Sequence, residues 1–208
     1  MKEKKSLKAI FDVSEGFHTF YEGYVNYLGN CLKNVDVEQL GKLLNVLIET
    51  RKKDRTVFFA GNGGSAATSS HFSQDLAEVG KKAGVRKFKS LSLTDNVSQI
   101  TAAGNDYGYE HIFTSQLEDL FGAEDVLILI SASGNSTNLV YAAEYARQNG
   151  GTTVALVGFA GGKLAEICDV VVHIPTEEGE YGPAEDGHLV FDHVLVQYLM
   201  WRLKDDET

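Results

Sequence analysis

Two glycine- and serine-rich segments of this chain have the composition of anion-binding turns. Residues 61–66 read GNGGSA and residues 131–136 read SASGNS, and each segment directly follows an apolar run. A strand that ends in such a turn at the start of a helix leaves backbone N–H groups free beside the positive end of the helix dipole. If the two strands are parallel neighbours, the two turns could hold one phosphorylated ligand from both sides.

The first segment allows two other interpretations. Its glycines match the loose GxGxxA form of a dinucleotide-binding fingerprint, with Asp95 at the end of the next predicted strand, but this short pattern is weakly specific. A Walker loop is excluded, because no Lys followed by Ser or Thr comes after the glycines. Four serine hydroxyls favour a monophosphate cradle instead, together with the backbone amides of Gly63 and Gly64: Ser65, Ser131, Ser133 and Ser136. The remaining alternative is that these serines only cap helices.

Two groups of titratable residues could carry acid–base or metal chemistry. His71 and Asp75 are four positions apart on a predicted helix, so both project from one face. They could chelate a metal, act as an acid–base pair or simply hydrogen-bond to each other. In the last predicted helix, Glu185 and His193 are eight positions apart and lie within about a quarter turn of each other. Acidic residues in the first turn of that helix could instead complement the helix dipole.

The elements that would position these residues alternate between strand and helix from residue 56 onward. Five apolar, partly β-branched runs predict strands at 56–60, 88–93, 125–131, 152–157 and 170–174. Helices are predicted between them at 65–79, 96–103, 109–121, 136–149 and 162–167, and a final helix runs from Pro183 to about Leu203. This order predicts an α/β domain at 54–203 with a doubly wound, five-stranded parallel sheet. Ligands of such a sheet bind at the carboxyl ends of its strands.

Residues 6–53 form a separate helical segment. They lack proline and carry apolar residues at helical spacing, which predicts two helices arranged as an N-terminal hairpin, with Asp36 as the N-cap of the second. The first helix carries more aromatic surface than a solvated hairpin tolerates: Phe17, Phe20, Tyr21, Tyr24 and Tyr27. We therefore expect this segment to mediate homo-oligomerisation.

Length, charge and cysteine usage exclude several classes of protein. The 208 residues suffice for one domain with a full core, and 29 acidic against 19 basic residues give a net charge of −10. We therefore expect no nucleic-acid partner, and a phosphate site must rely on backbone dipoles and hydroxyl groups. Cys31 and Cys168 form no CxxC motif, which argues against a disulfide framework or a cysteine zinc site. Because no apolar run suits a signal peptide or membrane span, we expect a cytoplasmic protein without a membrane partner.

Three segments taken together resemble the phosphoheptose isomerases, which are sedoheptulose 7-phosphate isomerases of the sugar-isomerase (SIS) domain superfamily. The resemblance rests on the two Gly/Ser turns, the helix that carries His71 and Phe72, and the spacing from Glu185 to His193. Three shorter motifs support it: Thr94-Asp95, Gly104-Asn105-Asp106-Tyr107-Gly108 and Gly161-Gly162-Lys163. It covers nearly the whole chain and implies a flavodoxin-like SIS fold. It also implies a homotetramer with the N-terminal helices in a central bundle.

The resemblance implies a role for each candidate site residue. The family's serine turns bind the sugar phosphate, while Asn62 and Asp95 would contact sugar hydroxyls and Glu185 is a further expected substrate contact. Its catalytic carboxylate and histidine correspond to Asp75 and His193. Some members bind zinc, at the positions of His71, Asp75, Glu185 and His193. This chain departs from the family where Asp75 replaces the usual Glu and Glu185 replaces the usual Gln, and two carboxylates with two imidazoles form a good zinc site.

These observations predict an aldose–ketose isomerase that acts on a phosphorylated sugar. The resemblance implies that sedoheptulose 7-phosphate is converted to a heptose 7-phosphate through an enediolate with the help of zinc, and no nucleotide cofactor is expected. One alternative is a non-catalytic SIS module that binds sugar phosphates or associates with a replication initiator, as relatives of these isomerases do. Another is a nicotinamide-dependent enzyme. Retention of His71, Asp75 and His193 favours the isomerase.

Overall fold

A central parallel sheet forms the frame of the protein. In the computed structural model, which describes residues 6–206, the strands are β1 (Thr56–Gly61), β2 (Lys89–Ser92), β3 (Val126–Ser131), β4 (Thr152–Val157) and β5 (Val170–His173). All are parallel, in the order β2-β1-β3-β4-β5. This confirms the predicted five-stranded α/β fold. The strand order reverses between β1 and β3, which are the two strands that precede the Gly/Ser turns.

Helices cover both faces of this sheet. They are α1 (Leu7–Val13), α2 (Phe17–Lys33), α3 (Val37–Lys52), α4 (Gly64–Ala83), α5 (Val97–Asp106), α6 (Thr114–Leu120), α7 (Thr137–Gln148), α8 (Gly162–Ile167) and α9 (Tyr181–Asp206). Helices α3, α4 and α9 pack with Val57 and Phe59, whereas α5 to α8 pack with Phe58 and Ala60. Successive side chains of β1 point to opposite faces, so a sheet covered on both faces requires an uninterrupted apolar strand. Within residues 6–206, no helix combines the length and hydropathy needed to cross a bilayer.

Several helix boundaries differ from the predicted ones. Helices α4 and α5 end at Ala83 and Asp106, four and three residues beyond their predicted ends. The first predicted N-terminal helix is two helices, α1 and α2, because the backbone becomes extended at Ser14, with ψ 127°. The segment predicted as a helix at 109–121 is a 3₁₀ turn at Tyr109–His111 followed by α6. Helix α9 begins at Tyr181, upstream of the predicted start at Pro183. The helix tolerates this proline in its first turn, because the N–H that proline lacks would have no intrahelical partner there.

Two tyrosine hydroxyls attach the N-terminal helices to the region around the start of α9. Tyr24 of α2 donates a hydrogen bond to the Asp186 carboxylate at 2.5 Å, and Tyr27 donates to the Glu180 carboxylate at 2.5 Å. Burial and these hydrogen bonds raise the pKa of both tyrosines. Asp36 caps α3 as predicted, because its side chain accepts from the backbone N–H of Glu38. Other large side chains of α1 and α2 are exposed: Phe11, Phe17, Tyr21 and Val25.

Candidate active site

The two Gly/Ser turns lie side by side at the carboxyl edge of the sheet. Strands β1 and β3 pair in parallel, with Gly61 opposite Ile130, so both strands enter their turns at nearly the same level. The strand order reverses at this position, and doubly wound folds open a ligand-binding crevice there. The topology confirms that the two turns follow neighbouring parallel strands.

The first turn presents the N-terminus of α4. Gly63 has a φ of +56°, a backbone conformation that favours glycine, and no side chain within residues 6–206 caps the helix at this position. Ser65 is buried in the first turn of α4. Because the first amides of a helix have no intrahelical partner, this end of α4 can bind an anion.

The second turn holds its serines by hydrogen bonds from its own backbone. Ser131 Oγ accepts from the N–H of Gly134 at 3.0 Å, and Ser133 Oγ accepts from the N–H of Asn135 at 3.3 Å. Both hydroxyls can therefore still donate their hydrogens to a ligand. Ser136 is the N-cap residue of α7, yet its side chain makes no capping hydrogen bond within the described part of the chain. At Ser136 the structure therefore does not support the alternative that these serines only cap helices.

Asn62 and Asp95, the predicted sugar contacts, are each held by neighbouring side chains. The amides of Asn62 and Asn138 exchange two hydrogen bonds of 2.9 and 3.0 Å, and the Tyr109 hydroxyl donates to Asn62 Oδ1 at 2.9 Å. Asp95 accepts a hydrogen bond from the hydroxyl of Ser70 on α4. Sequence reasoning missed Asn138 and Tyr109, because the amide pair joins residues 76 positions apart and carries no local signal.

A cluster of two histidines and two aspartates forms where α4 packs against α9. His71 Nε2 lies 3.3 Å from Asp75 Oδ2, 3.2 Å from His193 Nε2 and 3.9 Å from Asp192 Oδ2. One ligand-capable atom from each of the four residues lies within 4.8 Å of the others. The structure thus brings together three of the four residues assigned to zinc by resemblance and adds Asp192. The sequence feature that could have indicated Asp192 as a site residue is its position next to His193 in a segment rich in acidic residues and histidine.

Asp192 forms the buried wall of this cluster. Its side chain is 0% exposed, against 24% for Asp75 and 46% for His71. Burial raises the pKa of Asp192 to about 7, and the negative charge of Asp75 adds to this shift. Two imidazoles and two carboxylates are donors that zinc accepts. The cluster could therefore hold a divalent metal ion.

Glu185 lies apart from the cluster. Its half-buried carboxylate faces Gly64 at the start of α4, in the space that a Cβ at that position would fill. It is therefore next to the first anion-binding turn, where the helix dipole favours a negative charge. The assignment of Glu185 as a metal ligand or substrate contact stays a prediction.

Comparisons with known sequences agree with the features of this site. The family model of the SIS domain matches residues 21–158. The phosphoheptose isomerase of Aliarcobacter butzleri is 39% identical over 163 residues, which cover 78% of this chain and 84% of that protein. The phosphoheptose isomerase of Sulfurimonas denitrificans is 36% identical over 193 residues, which cover 92% of this chain and 90% of that protein.

Solved structures of similar proteins have the same fold. The phosphoheptose isomerase of Neisseria gonorrhoeae matches with a TM-score of 0.77 at 28% identity, over 86% of this chain and 94% of that one. A phosphoheptose isomerase from Francisella tularensis matches with a TM-score of 0.76 over 88% of this chain and 95% of that one, and at 23% identity it bears on the fold alone. Because these matches span most of both chains and include both Gly/Ser turns, the chain belongs to the SIS-domain family and, within it, to the phosphoheptose isomerases.

Proposed function

We propose that this protein converts sedoheptulose 7-phosphate into a heptose 7-phosphate. The observation that carries the proposal is that one helix, α4, joins the first of two adjacent hydroxyl-lined anion turns to the His/Asp cluster. Helix α4 begins in the first turn and carries His71 seven residues after Gly64, which is about 10 Å along the helix axis. The site thereby separates a phosphate anchor from an acid–base centre, as an extended sugar phosphate requires.

The anchor would bind the phosphate through hydroxyl groups and backbone amides. The proposed donors are Ser65, Ser131, Ser133 and Ser136, with the amides of Gly63 and Gly64. Asn62 and Asp95 would contact the sugar hydroxyls, and their hydrogen bonds to Asn138, Tyr109 and Ser70 hold them in place before the ligand arrives. Side chains that are already ordered lose less conformational entropy on binding.

Isomerisation moves a proton between C1 and C2 of the sugar through an enediolate. A base must take the proton beside the carbonyl, and a donor or cation must stabilise the oxygen that becomes negative. We assign the proton transfers to Asp75 and His193, which border the exposed side of the cluster. A divalent ion such as zinc would supply polarisation of the carbonyl oxygen when bound. His71, Asp75 and His193 would hold that ion, so with the ion bound Asp75 and His193 would act first as ligands. The resemblance implies Glu185 as the fourth ligand.

Replacement of His193 by Ala tests this assignment. The variant should lose turnover of sedoheptulose 7-phosphate, because it removes a proton-transfer group, but calorimetry should still detect binding through the intact phosphate anchor. His18→Ala is the matched control, since His18 lies exposed on α2 and is paired only with Glu22 in the described part of the chain. Near-normal turnover by His193→Ala would refute the mechanism. Binding without turnover by the unaltered protein would favour the non-catalytic SIS module. A bound nicotinamide would favour the nicotinamide-dependent enzyme.

We also propose that residues 6–53 form the assembly interface of a homotetramer and that residues 54–203 form the SIS domain. Large apolar side chains are exposed on α1, α2 and α9: Phe11, Phe17, Tyr21, Val25, Val194, Tyr198 and Trp201. Exposed apolar surface on this scale marks an interaction site. We expect the assembly to work in the cytoplasm.

A further inference from the structure

Asp192 is a buried carboxylate to which no side chain or backbone group of residues 6–206 donates a hydrogen bond. Its side chain is 0% exposed, and neither carboxylate oxygen accepts a hydrogen bond within the described part of the chain. Buried carboxylates in proteins are normally paired or bound to a metal, because removing an unpaired charge from water is costly. Asp192 Oδ2 lies 3.9 Å from His71 Nε2, so the carboxylate faces the cluster and an ion there would satisfy it.

The spacing of the donor atoms fits one small divalent ion. Metal–ligand bonds of about 2.0–2.1 Å in a tetrahedral zinc site place neighbouring donor atoms about 3.3 Å apart. The distances from His71 Nε2 are 3.2 Å to His193 Nε2, 3.3 Å to Asp75 Oδ2 and 3.9 Å to Asp192 Oδ2. Small side-chain rotations would therefore bring all four donors to bonding distance of a common centre.

Asp192 competes with Glu185 for the fourth position. Glu185 lies eight residues before His193, about 12 Å along α9, and its carboxylate faces Gly64. Asp192 is adjacent to His193 and already belongs to the cluster. Besides Asp75, Asp192 is thus the carboxylate that lies beside the two histidines of the site.

We propose that Asp192, and not Glu185, is the fourth protein ligand of a zinc-class divalent ion held by His71, Asp75 and His193. The inference rests on the proposed function, since it concerns the same site. It leaves Glu185 free to lie beside the phosphate-binding turn. Loss of Asp192 should therefore weaken metal binding directly, whereas loss of the Glu185 charge should act mainly on the sugar phosphate.

Metal affinity of the full-length protein tests the proposal without any measurement of activity. Zinc is titrated into the metal-stripped protein in competition with a chromogenic chelator, and cobalt(II) absorption spectra report the coordination. Asp192→Asn should lower the affinity for zinc by more than about 100-fold, beyond the roughly 10–100-fold typical of residues that only support a ligand. Glu185→Gln, the matched control, should leave affinity and cobalt spectrum unchanged. Circular dichroism of the metal-free variants checks that both fold.

A second measurement needs no variant. A crystal structure of the zinc-loaded protein should place an Asp192 oxygen about 2.0–2.2 Å from the ion. Unchanged zinc affinity in Asp192→Asn, loss of affinity in Glu185→Gln alone, or an ion bonded to Glu185 but not to Asp192 would each overturn the inference. Zinc bound through Asp192 without isomerase activity would overturn only the proposed function. Isomerase activity in a protein that binds no zinc would overturn only the inference.

Discussion

Acid should destabilise this protein through His188, a histidine buried in α9. His188 is 0% exposed, and burial lowers its pKa to about 4. The nearby backbone of Val157 opposes this shift, and the charge of His173 on β5 adds to it. In the unfolded chain the pKa returns to its ordinary value of about 6.5. Between these two values only the unfolded state takes up the proton, so stability falls as the pH falls.

The size of the effect follows from the two pKa values. A separation of about 2.5 units, at about 1.36 kcal/mol per unit, limits the loss to about 3.4 kcal/mol at very low pH. The loss is close to zero at pH 7, about 2 kcal/mol at pH 5 and about 3 kcal/mol at pH 4. The contribution of neutral His188 to stability is therefore present at neutral pH and is lost progressively between about pH 6.5 and pH 4.

This loss can be measured by urea unfolding of the metal-free protein and of its His188→Leu variant. Both are unfolded at pH 7, 6, 5 and 4 and at equal protomer concentration. Leucine fills a similar volume but does not ionise. The unfolding free energy of the variant relative to the unaltered protein should rise by about 3 kcal/mol from pH 7 to pH 4. All other ionisable groups are common to both proteins, so their contributions cancel in the difference. If the two pH curves were parallel, His188 would not stay neutral in the native state and the reasoning would be refuted.

Three further changes have defined outcomes. Gly134→Ala should weaken binding of sedoheptulose 7-phosphate at least about tenfold by calorimetry, because φ is +66° and a Cβ would overlap the carbonyl oxygen of Gly161. The control Gly179→Ala, with φ +85° and open space among the described residues, should leave binding unchanged. Equal affinities of the two variants would contradict this description of the turn. Phe72→Ala should lower the free energy of unfolding by about 3–5 kcal/mol, because the ring is fully buried against β1, and a loss below about 1 kcal/mol in urea unfolding would argue against that packing. Phe17→Glu should yield a smaller assembly in light scattering, since this 83% exposed ring of α2 belongs to the proposed interface, whereas an unchanged mass would exclude it from that interface.

Local patterns in the sequence predicted the strands and the turns that follow them. The apolar runs of β1 and β3 can be recognised because both faces of these strands are covered, and the Gly/Ser segments come directly after them. The pair His71 and Asp75 could also be placed in advance, since residues four positions apart share a helix face whatever that helix packs against. The break between α1 and α2 was missed, because apolar spacing continues across it; the backbone is extended at Ser14 and again at Gly16.

The sequence did not predict which face of α9 packs against α4; only the tertiary structure shows it. Apolar residues surround this helix: Phe191, Leu195 and Leu199 are buried, while Val194, Tyr198 and Trp201 are exposed. Periodicity alone therefore does not define its rotation about its own axis. That rotation brings Asp192 into the cluster and leaves Glu185 beside Gly64. The sequence by itself determined the order of elements, the anion turns and the candidate acid–base residues, whereas long-range packing of α9 on α4 decided which carboxylate faces the histidines.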